Sequence, residues 1–154
     1  LSIQKFKMYV ELKQPEKGVL ELEKARKLYP EDPQLLATLV DYYFQTNQAE
    51  KALSFLEELV KATTLLLSEN GIFAVIIPFK EENRLLNLCA QAELFPIKMT
   101  RVKGTPTGPI IRSLLAFKRY ELPVLSANEL VIESSRHMYT EAYTKLTRDF
   151  YLKM

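Results

Sequence analysis

The sequence predicts an α+β fold, in which two helical hairpins are followed by a small sheet with a closing helix. Three observations predict it. The first 60-odd residues match themselves when shifted by 34 positions. An unbroken apolar run, Ile72–Ile77, lies between Gly71 and Pro78. A stretch without Asp or Glu, Phe95–Tyr120, contains two strand-like segments around the turn-rich Lys103-Gly104-Thr105-Pro106-Thr107-Gly108-Pro109.

In the repeat, Tyr9 meets Tyr43, Gln14 meets Gln48, Glu16-Lys17 meets Glu50-Lys51, and Leu22-Glu23 meets Leu56-Glu57. Gly18 meets Ala52, two small residues where a second helix lets the first approach closely. Apolar positions such as Leu35, Leu36, Leu39, Val40 and Tyr43 recur at helical spacing. Helices are expected over 2–13, 16–28, 33–46 and 49–68. The short loops Lys13-Gln14-Pro15 and Thr46-Asn47-Gln48 suit antiparallel neighbours, and Pro30 with Pro33 separates the two hairpins.

The Asn70-Gly71 pair suits a helix stop. Ile72–Ile77 then reads as a strand buried on both faces, because it is continuous and rich in β-branched residues. A helix is expected over 81–94 with Leu85, Leu86, Leu88 and Cys89 inward. Strands follow over 95–102 and 110–117, with a further short strand at Leu130–Ile132 and a final helix over Tyr139–Tyr151.

Composition bounds the function. Of 154 residues 47% are hydrophobic and 26% charged, as in a globular chain rather than a disordered one. The net charge of +2 hides a division. Acidic residues concentrate in the helical part, whereas Lys98, Arg101, Lys103, Arg112, Lys118 and Arg119 stand in the acid-free stretch. The single cysteine, Cys89, excludes an internal disulfide and a multi-cysteine metal site. No apolar run is long enough to span a membrane. The chain opens Leu1-Ser2-Ile3 without an initiator methionine or a signal peptide, as expected of a fragment.

A period of 34 residues resembles that of tetratricopeptide repeats, each a pair of antiparallel helices. Val40 and Leu59 depart from that pattern, which favours smaller residues there. Such repeats bind proteins along a concave face, so the resemblance implies a protein partner. The alternative is that two hairpins serve only as a packing unit or cap.

The last sixteen residues, Tyr139-Thr140-Glu141-Ala142-Tyr143-Thr144-Lys145-Leu146-Thr147-Arg148-Asp149-Phe150-Tyr151-Leu152-Lys153-Met154, carry a second resemblance. With Ile72-Phe73-Ala74-Val75-Ile76-Ile77-Pro78 and the hairpin from Arg101 through Arg112 to Leu115-Ala116-Phe117, they resemble the C-terminal end of a bacterial methyltransferase family. Those enzymes use S-adenosylmethionine to methylate N6 of an adenine beside the anticodon of a valine tRNA. The resemblance implies the last strands and helices of a Rossmann-like sheet. It divides the chain into 1–62, a repeat unit, and 63–154, the end of an α/β domain, and implies a cytoplasmic protein.

The family's chemistry requires a glycine-rich turn after its first strand, so that backbone can approach the cofactor. It also requires an acidic residue for the ribose hydroxyls and an Asn-Pro-Pro motif that grips the flipped base. The glycines here, Gly18, Gly71, Gly104 and Gly108, form no cluster, and no Asn precedes a Pro. No catalytic, cofactor-binding or metal-binding residue is therefore assigned, and S-adenosylmethionine is implied by the family alone. In the complete fold the strand carrying Asn-Pro-Pro lies beside Ile72–Ile77. Here that edge is expected to be open, either because the chain is a fusion or fragment with the repeat standing where the cofactor half would be, or because the edge pairs with another chain in an oligomer.

The remaining functional candidate is tRNA contact through Lys98, Arg101, Lys103 and Arg112, since clustered Lys and Arg without acids suit phosphates. The alternative is a solvated hairpin. His137 has no Cys or carboxylate at ligand spacing, and Cys89 reads as an inert core thiol. Tyr139, Tyr143, Phe150 and Tyr151 suit either a stacking platform for bases or, preferably, a helix packing its aromatic face on the sheet.

Overall fold

The computed structural model describes residues 1–121 and 126–150 and divides into two compact units, Leu1–Leu66 and Leu67–Met154. The first contains α1 (Ser2–Glu11), α2 (Pro15–Leu28), α3 (Pro33–Gln45) and α4 (Ala49–Leu66). Its core is the apolar stripe of each helix: Leu22, Leu36, Leu39, Ala52 and Leu56 are all but fully buried. Tyr43 stacks on Phe55 with ring centroids 5.5 Å apart. Arg26 lies over that same ring and pairs with Glu58 at 2.6 Å. Val40 and Leu59, the departures from the repeat pattern, are buried as well.

The repeat extends to backbone detail. Lys13 and Asn47, 34 positions apart, adopt left-handed conformations with φ of 56° and 59°. Gln14 N–H then donates to Tyr9 C=O and Gln48 N–H to Tyr43 C=O, each at 2.8 Å. This turn satisfies carbonyls that would otherwise be orphaned where α1 and α3 end. Asp32 starts α3 by accepting from the Gln34 and Leu35 amides, and Pro33 at the first helical position sacrifices no bond. A Cβ at Gly18 would lie 2.8 Å from the Phe6 ring and 3.1 Å from its Cα, so the first hairpin depends on that missing carbon for its close approach.

The second unit contains β1 (Phe73–Pro78), a 3-10 turn (Phe79–Glu81), α5 (Glu82–Gln91), β2 (Phe95–Lys103), β3 (Ile110–Lys118), β4 (Ser126–Val131), β5 (Glu133–Ser135), β6 (Met138–Tyr139) and α6 (Glu141–Thr147). The sheet order is β1-β3-β2-β4. β3 runs antiparallel to both neighbours, while β4 joins β2 in parallel. β5 and β6 form a separate hairpin. The register alternates two faces. One presents Val75, Ile77, Ser113, Leu115, Phe117, Met99 and Arg101. On this face α5 contributes Glu82 to the Ser113–Arg101 pair and buries Leu85 and Cys89.

The structure corrects several boundaries. β4 is twice the length expected from Leu130–Ile132, because pairing with β2 supplies its hydrogen bonds whatever its side chains. The final helix spans only Glu141–Thr147: Thr140 caps it by accepting from the Tyr143 amide, and Tyr139 belongs to β6. Its aromatic residues do not form a buried face. Tyr139 is 49% and Phe150 86% exposed, Tyr139 meets Tyr143 ring to ring at 5.2 Å, and Tyr151 lies outside the described residues. Helix α4 ends at Leu66, two residues short of the expected span 49–68.

A lysine is ill suited to the left-handed turn that closes α1. Lys13→Gly is expected to stabilise unit 1 by about 0.5–1 kcal/mol, because glycine adopts positive φ without steric cost. Chemical denaturation of the variant beside the parent checks this.

Candidate nucleic-acid interface

The four basic candidates are built on β2 and β3, and the register decides which way each faces. Lys98 lies opposite Ala116, Arg101 opposite Ser113, Val102 opposite Arg112, and Lys103 opposite Ile110. Lys98 and Arg112 consequently share one face, while Arg101 stands on the other. The acid-free stretch does not form one basic cluster in space.

Arg101 is engaged inside the unit. Its Nη2 donates to Glu82 Oε1 at 2.6 Å and its Nε lies 3.2 Å from both Glu82 oxygens, with the guanidinium over the Phe79 ring. Ser113 Oγ–H donates to the second oxygen of Glu82. Glu82 is only 2% exposed, and burial alone would raise its pKa. The Arg101 hydrogen bonds, aided by Ser113, prevail and hold the carboxyl below the ordinary carboxylate range. The same bonds raise Arg101. Lys103 reaches Glu129 on β4 at 3.0 Å. Glu82 was not foreseen as a partner: it lies 19 positions before Arg101, a separation without local periodicity. Glu129 falls just outside the stretch in which acids are absent.

Lys98 and Arg112 are exposed and make no ion pair or side-chain hydrogen bond among the described residues. Beside Lys98 runs a groove of about 540 Å³. Its floor includes Ala74, Ile76, Leu114 and Ala116, and Ala142 and Leu146 of α6 border it. This face therefore combines apolar surface with two uncommitted cations.

No group of three His, Cys, Asp or Glu side chains able to hold a metal ion occurs among the described residues. His137 sits at the exposed β5–β6 turn beside Arg136. Cys89 is fully buried, and burial pushes its thiol up to about 12, which leaves it protonated and unreactive. A Cβ at Gly18, Gly71 or Gly108 would meet the chain's own nearby atoms, and one at Gly104 would meet nothing within 4 Å.

Comparison with known proteins bears on each unit in turn. A tetratricopeptide repeat model matches residues 9–64. The tRNA1(Val) (adenine(37)-N6)-methyltransferase of Flavobacterium johnsoniae is 61% identical over 98 residues, 64% of this chain and 42% of the relative. The C-terminal part resembles the tRNA(Val) adenine-N6 methyltransferases. Proteins of the same name from Flavobacterium psychrophilum and Christiangramia forsetii are 56% and 48% identical, with 64% of this chain covered and 42% and 41% of theirs. The chain thus spans about two-fifths of the length of the curated relatives it matches. The repeat match ends within α4. Among solved structures, a predicted O-methyltransferase from Agrobacterium tumefaciens superposes with a TM-score of 0.53 at 15% identity, over 60% of this chain and 45% of that one, which shows a shared fold.

Glu82 contributes stability as a carboxylate. With its folded pKa depressed, that contribution is full above the unfolded value of about 4.3 and disappears as pH falls through the lower folded value. Glu82→Gln is expected to cost about 1–3 kcal/mol at neutral pH, because Arg101 loses its counter-charge and one of the two accepting oxygens becomes an amide NH2 that cannot accept. The deficit shrinks on acidification, as thermal melts from pH 7 to 3 should record.

Proposed function

We propose that this chain is an RNA-contacting portion of a tRNA (adenine-N6) methyltransferase-like protein and is not catalytically complete by itself. The observation that carries the reading is the pair Lys98 and Arg112, uncommitted on one sheet face, in a unit resembling tRNA methyltransferases. Arg101 and Lys103 contribute mainly to the sheet's own ion pairs. Phosphates then meet Lys98 and Arg112, in an interaction dominated by charge and independent of base identity. On this reading tRNA is the partner, S-adenosylmethionine belongs to a complete relative, and the protein works in the cytoplasm. No helix among the described residues is long and apolar enough to cross a membrane.

Titration with tRNA at increasing salt tests the reading. Affinity should fall steeply with salt, and Lys98→Ala or Arg112→Ala should each reduce the log–log slope by about one. An affinity indifferent to both salt and substitution overturns it. Calorimetry with S-adenosylmethionine should register no binding, and measurable heat would overturn the statement of incompleteness.

A second reading rests on unit 1. A groove of about 810 Å³ between α1 and α3 is lined by Phe6, Lys7, Val10, Asp41, Tyr42 and Gln45. Its apolar floor and charged rim suit a peptide segment of a protein partner. Peptides selected from a random library on the whole chain should lose binding to a Val10→Glu variant. Retained binding would place their site elsewhere.

A further inference from the structure

The β5–β6 hairpin is held by hydrogen bonds rather than by burial. Both residues of β6 are exposed, Met138 by 61% and Tyr139 by 49%. Ser134 Oγ–H donates to Met138 C=O at 3.1 Å, Thr140 N–H to Ile132 C=O at 2.9 Å, and Thr140 Oγ1–H to Val131 C=O at 2.6 Å. This frame carries four planar groups at Arg136, His137, Tyr139 and Tyr143. Arg136 Nε donates to His137 Nε2 at 3.2 Å across the turn, and the two tyrosine rings meet at 5.2 Å with their planes 40° apart. The hairpin follows β4, at the opposite end of the sheet from β1, so a strand added beside β1 does not cover it.

We propose that Tyr139 and Tyr143, with Arg136 and His137, form a subsite on which an unpaired base of RNA stacks. The inference rests on the RNA contact proposed above and adds a second kind of contact to it. Every base has a flat face whatever its identity, and aromatic rings, imidazoles and guanidinium planes are the side chains that cover one. Tyr139 offers such a ring already held by its neighbour, so little side-chain freedom is lost on binding. Charge selects a base over a phosphate at this spot. Glu133 lies opposite Tyr139 and Glu141 stands in the first turn of α6, so a phosphate would meet carboxylates whereas a neutral ring would not. Phosphate falls instead to Lys98, whose groove is bordered by Ala142 and Leu146 of the helix that carries Tyr143. An RNA chain along this face sets its backbone on Lys98 and a base on the tyrosines.

Two probes offered to the whole chain test the subsite: an oligoadenylate of about ten nucleotides, and an abasic oligomer with the same number of phosphates. The base-bearing probe should bind about fivefold more tightly or better. Tyr139→Ala should remove that preference and leave abasic binding unchanged, while Tyr139→Phe keeps it, because the ring and not the hydroxyl stacks. Tyr139 is exposed, so these substitutions spare the fold, as thermal melts verify. The chain has no tryptophan, and the Tyr139→Trp variant therefore reports directly: oligoadenylate should quench its emission and the abasic probe should not. Equal affinity for the two probes, a preference indifferent to Tyr139→Ala, or emission unmoved by oligoadenylate would each overturn the subsite. If tRNA affinity still falls with salt and with Lys98→Ala in that case, the proposed function stands without it. Binding of neither probe nor tRNA at low salt removes the proposed function and the subsite together.

Discussion

Strand β3 satisfies the backbone of two neighbours at once, antiparallel to β1 along one side and to β2 along the other. An unpaired amide or carbonyl kept from water costs as much as a lost hydrogen bond, so the whole of unit 2 is arranged around this strand. The β3 register brings Ser113 beside Arg101, which in turn holds Glu82 at the start of α5 and fixes that helix on one face. It also places Arg112 with Lys98 on the other face, and it leaves β1 with one side spoken for and one side free.

That arrangement explains the division of labour among the basic residues. A guanidinium bound to a buried carboxylate cannot leave for a phosphate without stranding the carboxylate, which is costly in a poorly solvated site. Arg101 is therefore architecture and Lys98 is surface, although in sequence they look alike. The groove beside Lys98 adds apolar area to that surface.

The sequence made local features legible and long-range ones obscure. The 34-residue repeat located four helices because helix periodicity and the short turns at Lys13 and Asn47 are written within a few residues, whereas the Asp32 cap of α3 was not read. Ile72–Ile77 was readable as a strand for the same reason, but not as one buried on both faces, since Ala74 and Ile76 are exposed. Its edge position was anticipated only through resemblance, since strand order is a property of pairing. The β5–β6 hairpin has too few residues to alternate, and the aromatic spacing after Tyr139 imitated a longer helix than Thr140 allows to begin. The partnership of Glu82 with Arg101 and Ser113 needed the sheet to be assembled first.

Cys89 gives this two-unit chain a built-in clock. It is the only thiol among 154 residues, and it lies in the core of unit 2 with no counterpart in the helical repeat. A protonated, fully enclosed thiol reacts with an alkylating reagent only after α5 lifts from the sheet. The labelling rate of the intact protein therefore measures the opening of unit 2.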